Sequence, residues 1–250
     1  MTTLIAVDVG NTSIHMARYS NGKWRLHRRV GTRHFKKNAF AALRPLLPKN
    51  KKTCVVIASV VPKVGKYLRH MIPRILGAET HLIGAKFPVP MRNLYKDPRQ
   101  VGVDRLLNGL AAFHKVRGAV IVIDFGTAIT FDVVSKKGEY LGGVIAPGIE
   151  ISLEALFRKT ALLPKIRLKH PKNMFGKDTV ESIRVGCSVG IGGLCDRIVE
   201  QIENHSHFRG QVIATGGYAV FMSKYCRRIS AIDPDLLFKG IRLTYRHHLR

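Results

Sequence analysis

Residues 4–12 read LIAVDVGNT, a short apolar run that passes directly into a polar turn containing a glycine. Four apolar residues that end at such a turn are typical of a buried strand. The same arrangement returns at residues 120–127, VIVIDFGT, 116 residues further along the chain. A third run, VIA at residues 212–214, ends in Thr215-Gly216-Gly217. The sequence therefore predicts three buried strands and an internal duplication, with one similar loop in each half.

Each of the two similar loops is followed by the pattern of a β-hairpin. After the first loop, strand patterns at residues 13–19 and 23–27 flank Asn21-Gly22, a pair favoured in two-residue hairpin turns. After the second loop, strand patterns at residues 129–134 and 140–145 flank a turn of lysines and glycine. The two halves therefore repeat their predicted topology as well as their loop.

Helical periodicity occurs between the strand patterns. It covers about residues 104–115, 151–160 and 180–205, and several glycines interrupt the last of these. Strands and helices together predict an α/β chain of mixed sheets flanked by helices. Because the loop and its hairpin occur once in each half, we predict two lobes, residues 1–115 and residues 116–250.

The chain is strongly basic, since its 250 residues include 42 Lys and Arg against 16 Asp and Glu, a formal net charge of +26. A field of this strength attracts polyanions, nucleic acid included. The basic residues are scattered without one dominant run, and no aromatic-interleaved RNA-binding motif occurs. This distribution favours a solvated basic surface over a nucleic-acid site, so we expect no nucleic-acid partner.

The four cysteines form no CxxC pair and have no spacing typical of a zinc site; they are Cys54, Cys187, Cys195 and Cys226. We expect buried free thiols and no structural metal. The apolar run at residues 4–7 is too short for the core of a signal peptide, and no segment approaches the length of a membrane-spanning helix. We therefore expect a cytoplasmic protein with no membrane partner.

The first loop offers the groups that a bound phosphate chain requires. The backbone must approach without hindrance from a Cβ atom, donors must meet the oxygens, and a carboxylate must hold a divalent cation. Gly10 allows the approach, and Asn11 and Thr12 supply donors, while Asp8 is placed to organise Mg²⁺. These residue types are also common turn formers, so one such loop has an equally good structural interpretation. The second copy, residues 124–127, favours function, because two loops can hold a triphosphate from both ends.

The paired loops resemble those of the superfamily that includes acetate kinase, sugar kinases, Hsp70 and actin. Between them, residues 95–105 read YKDPRQVGVDR, which is similar to the Y-x-x-P-x-Q-V-G-x-D-R segment of type III pantothenate kinases. The resemblance covers residues 4–240, and further motifs of that family follow in the same order: GGVIAPG at residues 142–148, Thr160-Ala161-x-Leu163-Pro164, Gly176-x-x-Thr179 and Thr215-Gly216-Gly217.

This resemblance implies a duplicated actin-like, ribonuclease H-like ATPase fold with two lobes. It implies ATP-dependent phosphorylation of pantothenate to 4′-phosphopantothenate, the first step of coenzyme A biosynthesis, with Asp104 as the catalytic base. The family's substrate contacts correspond to Tyr95, Gly102, Val103, Asp104, Arg105 and Thr179. The expected ATP contacts are Asp8, Val9, Gly10, Asn11, Thr12, Ser13, Ile14, His15, Gly126, Thr127 and Gly216, and among them the resemblance implies Thr127.

Cofactors and assembly are also implied by the resemblance. Mg²⁺ would accompany ATP, with Asp8 as the ligand that the chemistry of the first loop indicates, and the resemblance implies that Asp124 binds the monovalent cation, K⁺ or NH₄⁺, that the family needs. Members of the family are homodimers in which the partner completes the pantothenate pocket. We therefore expect a homodimer whose interface is formed by the helical region after Pro147.

Other interpretations remain open for single residues and for the whole chain. Asp104 taken alone fits a helix N-cap and Arg105 a first-turn surface residue, while Thr179 fits a capping box and Tyr95 a half-buried loop anchor. Their joint occurrence favours the functional interpretation. Two further classes of function stay open: a non-catalytic regulatory relative, similar to Bvg accessory factor and associated with nucleic acid, and a kinase of the same fold that acts on another small hydroxy acid.

Overall fold

A computed structural model of the chain describes residues 2–48, 52–206 and 208–249. The fold contains two five-stranded mixed sheets with helices around them. Each sheet belongs to one of two units. Unit 1 comprises Met1–His114 and Asp235–Arg250, and unit 2 comprises Lys115–Pro234. Two mixed sheets with flanking helices confirm the predicted α/β class. Within the described ranges, every helix is too short or too polar to cross a lipid bilayer.

The described residues form ten strands and eight α-helices. The strands are β1 (Thr3–Val9), β2 (Ser13–Ser20), β3 (Lys23–Gly31), β4 (Thr53–Ser59), β5 (Glu79–Leu82), β6 (Val120–Phe125), β7 (Ala128–Val134), β8 (Tyr140–Pro147), β9 (Gln211–Thr215) and β10 (Ala231–Ile232). The helices are α1 (Phe35–Leu43), α2 (Pro62–Leu76), α3 (Val103–Val116), α4 (Ile149–Lys159), α5 (Thr179–Val185), α6 (Ile191–Ser206), α7 (Ala219–Met222) and α8 (Leu236–His248).

The sheet of unit 1 has the strand order β3-β2-β1-β4-β5. Strands β1, β2 and β3 pair antiparallel, whereas β4 runs parallel to β1 and β5 runs parallel to β4. Side-chain alternation sends Ile5 and Val7 to one face, where they pack with α1 and α2. Leu4 and Ala6 point to the other face and pack with Leu107 of α3 and with α8. Because both faces are covered, β1 is apolar along most of its length.

Helix α8 belongs to unit 1 although it follows unit 2 in the chain. Phe238 and Ile241 lie in the same apolar cluster as Leu107. Gly240 packs so closely that a Cβ atom on it would lie within 3.0 Å of the Leu107 backbone. The predicted second lobe, residues 116–250, included this helix, so the division differs there. The difference arises from packing between distant parts of the chain, which local periodicity does not encode.

The sheet of unit 2 has the strand order β10-β9-β6-β7-β8. Strands β6, β7 and β8 pair antiparallel, while β9 runs parallel to β6 and β10 parallel to β9. Ile121, Ile123 and Phe125 of β6 pack against α6, where Cys195 and Val199 are fully buried. All four cysteines are buried free thiols, as the sequence predicts.

The two sheets repeat one local topology. In each, the central strand ends in a loop that is closed by a backbone hydrogen bond, from Gly10 N–H to the Ser13 carbonyl (3.0 Å) and from Gly126 N–H to the Ala128 carbonyl (3.2 Å). An antiparallel hairpin follows each loop, and a parallel strand is added later, β4 in one sheet and β9 in the other. The predicted strands and hairpins are confirmed, and β3 and β8 are longer than predicted.

The helical stretch from Thr179 to Ser206 differs from its prediction in two ways. It is not broken at its glycines, because a π-helical turn at Gly186–Gly190 joins α5 directly to α6. The capping residue is Asp178, whose Oδ1 accepts a hydrogen bond from Glu181 N–H (2.8 Å). Thr179, the residue that fitted a capping box, is instead the first residue of the helix.

Candidate active site

The loop after β1 is held rigidly by a residue from beyond the hairpin. The Thr32 hydroxyl donates to the Gly10 carbonyl (2.8 Å), and Thr32 N–H donates to the Thr12 carbonyl (3.0 Å). A Cβ atom on Gly10 would lie 3.1 Å from the Ser13 carbonyl oxygen, tighter than an ordinary contact. The backbone of this loop is therefore fixed before any ligand binds, as an anion site requires.

A cavity of about 340 Å³ opens beside this loop. It is lined by Asn11 and Thr12 from the loop and by Gly31, Arg33 and His34 from the segment after β3. Arg33 is exposed, so its guanidinium is available to an anion in the cavity. Arg33 and His34 were not among the predicted site residues. Their signal in the sequence is a pair of basic side chains directly after the first hairpin.

Strand register places basic groups beside Asp8. Asp8 of β1 pairs with His15 of β2, and His15 pairs with Arg29 of β3. Burial, together with the charges of Arg29 and His27, lowers the pKa of His15, so the imidazole is neutral at pH 7. Its Nε2 lies 2.8 Å from the Ser13 hydroxyl. Arg29 is a further basic residue that was not among the predicted site residues.

Two residues that were predicted to contact ATP, Val9 and Ile14, have side chains that point into the core. The side chains of Val9 and Ile14 are fully buried in the core between the sheet and α1 and α2. Contact with a nucleotide through these residues is therefore limited to their backbone atoms. Asp8 is only partly buried, and Asn11, Thr12 and Ser13 follow β1 at the exposed end of the strand.

Asp104 lies in the first turn of α3 and not at its N-cap. The Gly102 carbonyl accepts hydrogen bonds from Arg105 N–H (3.1 Å) and Leu106 N–H (3.4 Å), so the helix begins one residue earlier than predicted. Asp104 Oδ1 accepts from Arg105 N–H (2.8 Å). The side chain of Arg105 is buried, which also excludes the alternative of a first-turn surface residue.

Two carboxylates of this segment have pKa values shifted in opposite directions. Burial raises the pKa of Asp104, and the N–H group and charge of Arg105 oppose that shift only in part. Hydrogen bonds from the side chain and backbone of Arg99 lower the pKa of Asp97. A carboxylate whose pKa moves towards neutrality is the better base, so Asp104 and not Asp97 has the properties of a catalytic group.

Asp104 and the first loop lie at the same edge of the sheet of unit 1. Val60 follows β4, and its N–H donates to the Val9 carbonyl at the end of β1 (3.0 Å). A Cβ atom on Gly102 would lie 3.6 Å from Val60 Cγ1. Because Val60 contacts both elements, the N-terminus of α3 and the loop that begins after Asp8 are neighbours. The structure thus brings together a carboxylate with a raised pKa and a loop whose backbone is held by hydrogen bonds.

Unit 2 gathers a second set of predicted residues around Asp124. A Cβ atom on Gly216 would lie within 3.0 Å of Asp124 Oδ1 and of the Phe125 backbone, and the φ of Gly216 is +90°. Only glycine fits at this position without strain. A Cβ atom on Gly148 would likewise overlap the Thr127 backbone. Asp124, Gly126, Thr127 and Gly216 are therefore close neighbours in unit 2.

Comparison with known proteins decides the family. The model of the type III pantothenate kinase family matches residues 4–201. The chain belongs to this family. A type III pantothenate kinase of Anaeromyxobacter dehalogenans (strain 2CP-C) is 39% identical over 256 residues, which cover 98% of this chain and 99% of that protein. Family membership confirms the resemblance given by the motifs.

Solved structures of lower identity confirm the fold. A putative 2-dehydro-3-deoxygalactonokinase from Sinorhizobium meliloti superposes with a TM-score of 0.60 at 12% identity and covers 98% of this chain and 97% of its own. An inorganic polyphosphate/ATP-glucomannokinase from Arthrobacter sp. strain KM superposes with a TM-score of 0.52 at 16% identity, covering 99% of this chain and 100% of its own. These similarities support the predicted actin-like fold class.

In this member of the type III pantothenate kinase family, the segment before Asp104 is folded by its own side chains. Asn93 Oδ1 accepts from Tyr95 N–H (3.0 Å), and Asn93 Nδ2 donates to the Pro98 carbonyl (3.2 Å). Asp97 caps a 3₁₀ turn at Pro98–Gln100 by accepting from Arg99 N–H (3.1 Å). Tyr95 is half-buried in this compact loop. Within unit 1, Tyr95 and residues 102–105 belong to one ordered segment that leads into α3.

Thr179 and Asp132 are two further polar residues of unit 2. Thr179 is exposed at the start of α5, and Gly176 packs so closely there that a Cβ atom would overlap Ser182. Asp132 of β7 is fully buried and accepts hydrogen bonds from Tyr140 (2.9 Å) and Thr130 (3.3 Å). Asp132 was not among the predicted site residues, although an acid within an apolar strand is a signal in the sequence. Its network fixes Thr130, which pairs with Asp124 across the strands.

Proposed function

We propose that the protein transfers the γ-phosphoryl group of ATP to the primary hydroxyl of pantothenate and forms 4′-phosphopantothenate, the first step of coenzyme A biosynthesis. Membership of the type III pantothenate kinase family supports the reaction and the substrate. The observation on which the mechanism rests is a partly buried carboxylate with a raised pKa, Asp104, at the same sheet edge as the rigid loop after β1.

Asp104 acts as the base in this proposal. Phosphoryl transfer passes through a loose, in-line transition state, so the enzyme mainly positions the reactants and neutralises charge. The pantothenate hydroxyl loses its proton to Asp104 as its oxygen bonds to the γ-phosphorus and the bond to ADP breaks. Tyr95, Gly102, Val103 and Thr179 are the further substrate contacts that we propose. Arg105 supplies a guanidinium that can meet a carboxylate or phosphate oxygen.

The first loop has the chemistry that MgATP requires. Asp8 supplies a hard carboxylate oxygen of the kind that Mg²⁺ prefers, and the loop supplies fixed backbone groups and the side chains of Asn11 and Thr12. When bound, Mg²⁺ neutralises charge on the phosphate oxygens. We propose that residues 8–15, together with Gly126, Thr127 and Gly216, contact the nucleotide, and that Arg33 adds a charge to the phosphate site.

Asp124 is proposed to bind a monovalent cation, K⁺ or NH₄⁺. Its two neighbours across the strands are Thr130 and Thr215, so a carboxylate and two hydroxyl-bearing residues meet at one level of the sheet. Oxygen ligands of this kind suit a hard cation. The cation would supply positive charge near the phosphates without taking part in proton transfer.

A homodimer in the cytoplasm is the proposed working form. Helices α4 and α6 flank an open apolar groove of about 490 Å³, lined among others by Ala155, Leu156, Ile191 and Leu194. Exposed apolar surface of this kind is typical of an interface.

Leu156→Asp is expected to shift the protein towards the monomer in light-scattering measurements. The control is Ile75→Asp, at a similarly exposed residue of α2, and equal dimer content in both variants would argue against this interface.

An acceptor panel tests the proposed reaction. ADP release is measured with pantothenate and with other small hydroxy acids, each with and without K⁺, for the wild type, Asp104→Asn and the control Asp97→Asn. We expect turnover with pantothenate only, dependence on K⁺, normal rates in the control and a loss of about 10²–10⁴-fold in Asp104→Asn. Turnover with another acid would instead support a different substrate. Salt-dependent DNA binding without turnover would support the regulatory alternative.

A further inference from the structure

Three side chains with metal-binding chemistry meet at the far end of β4 from Asp104. Cys54 pairs with Glu79 of β5, and Val56 pairs with His81, so Cys54, Glu79 and His81 share one face of the sheet. The thiol sulfur, a carboxylate oxygen and an imidazole nitrogen all lie within 4.8 Å of one another. Cys54 is four residues from Ala58, the partner of Asp8, or about 13 Å along the strand. This cluster is therefore separate from the loop that begins after Asp8.

The histidine of this cluster is held in place from two sides. Its Nε2 lies 2.8 Å from Glu79 Oε1. The His81 ring stacks on the Phe87 ring, with centroids 5.3 Å apart. The centroid of the His248 ring, from α8, lies 4.5 Å from that of Phe87. A histidine whose ring is fixed by stacking loses little side-chain entropy when it binds an ion.

We propose that Cys54, Glu79 and His81 bind one Zn²⁺ ion as three protein ligands, with water in the fourth position. Thiolate, imidazole and carboxylate are the ligand types of zinc sites, and three protein ligands with one water form a common tetrahedral set. Ligand atoms around zinc are about 3.3–3.8 Å apart in that geometry. The donors must therefore move together by about 1 Å. The side chain of Glu79 is 65% exposed and can make that movement.

The alternative interpretation is a Glu–His pair near the surface beside a core cysteine, with no bound metal ion. In the metal-free protein, burial and the Glu79 charge raise the pKa of Cys54 to about 12, so an incoming ion has to displace a proton from the thiol. The carboxylate that disfavours a bare thiolate attracts a divalent cation. Geometry favours the metal site, because the three donor atoms lie within 4.8 Å of one another and the Glu79 side chain, which is mostly exposed, can move towards the other two.

Zinc at this position would fasten the edge of the sheet. Strand β5 has four residues and is the last strand on its side of unit 1. A bond from Cys54 on β4 to two residues of β5 would join these strands by more than their backbone hydrogen bonds. Binding to the folded state alone would then raise the melting temperature in proportion to the logarithm of the zinc concentration.

Cobalt substitution tests the site directly. Metal-free full-length protein is titrated with Co²⁺, and a thiolate-to-cobalt charge-transfer band with tetrahedral d–d bands is expected at one ion per chain. Zn²⁺ should then displace the cobalt and raise the melting temperature. Cys54→Ser should lose the charge-transfer band. Glu79→Gln and His81→Ala should each weaken binding by at least about tenfold, the least that loss of even an outer-shell partner costs.

Matched controls separate this site from adventitious binding. Cys187→Ser removes another buried thiol, and His70→Ala removes an exposed histidine of α2. Both should bind Co²⁺ like the wild type. If Cys54→Ser does not fold, the two variants on the edge strand β5, Glu79→Gln and His81→Ala, decide the question. The proposal is overturned if the wild type shows no charge-transfer band, or if binding is unchanged in both of these variants.

Discussion

Gly102→Ala should inactivate the enzyme while leaving it folded. A Cβ atom at this position would lie closer than 3.0 Å to Asp104 Oδ1, whereas ordinary contacts begin at 3.4 Å. The Asp104 carboxylate must therefore retreat by on the order of 1 Å, and a displacement of that size can cost about 10²-fold in rate. We expect kcat to fall by about 10²-fold.

Stability should change little in the same variant. The atom that the added methyl group would displace is the end of a side chain and not backbone, and the φ of Gly102 lies outside the left-handed region. Loss of a glycine at the start of a helix costs about 0.5–1 kcal/mol, and the reduced freedom of the unfolded chain offsets part of it.

The assay compares kcat, KM for pantothenate and urea denaturation for the wild type, Gly102→Ala and the control Gly84→Ala. A Cβ atom on Gly84 meets nothing within 4 Å, so this control should behave as the wild type. The reasoning is refuted if Gly102→Ala keeps kcat within about threefold of the wild type. It is also refuted if its loss of activity matches a loss of folded protein.

Three further perturbations test other parts of the account. The pKa of Asp104 is raised above its ordinary 3.8 in the folded state, so kcat/KM should fall as the pH drops through that raised pKa. Because the folded state then holds the proton more tightly than the unfolded state, the wild type should lose stability relative to Asp104→Asn as the pH rises from 3.8 through the raised pKa. A stability difference in urea denaturation that does not change with pH would contradict this. Gly216→Ala should destabilise the protein by about 1–3 kcal/mol, since φ is +90° and Asp124 blocks the Cβ atom; an unchanged thermal melt would count against the described packing. Thr32→Val should raise KM for ATP several-fold by freeing the Gly10 carbonyl, worth about 1 kcal/mol, and an unchanged KM would show that the loop does not need this hydrogen bond.

Much of the fold could be predicted because its local signals agree with its long-range pairing. The runs LIAV and VIVI are buried on both faces of their sheets, so continuous apolar character was the correct signal for β1 and β6. The Asn21-Gly22 turn also fixed the first hairpin, where both residues have positive φ. The position of α8 could not be predicted, because it depends on Phe238 and Ile241 packing against β1, which lies more than 200 residues earlier in the chain.

Site residues that lie in one continuous segment could be predicted from the sequence. Site residues that are brought together only by strand pairing could not. Asp104 and its neighbours form one continuous motif, so their resemblance to a family was visible in the sequence. Arg29 reaches the neighbourhood of Asp8 only through the register of three strands. The same applies to Cys54 and His81, which are 27 residues apart and meet because β4 and β5 pair in parallel. Spacing rules for metal sites do not detect ligands joined in this way.

Product analysis tests the central claim most directly. Wild-type protein and Asp104→Asn are incubated with ATP, Mg²⁺, K⁺ and pantothenate, and the product is identified by mass spectrometry and phosphorus NMR. The account predicts one phosphomonoester on the primary hydroxyl of pantothenate, formed at least about 10²-fold more slowly by the variant. Absence of phosphopantothenate with the wild type, or an undiminished rate in Asp104→Asn, would contradict it.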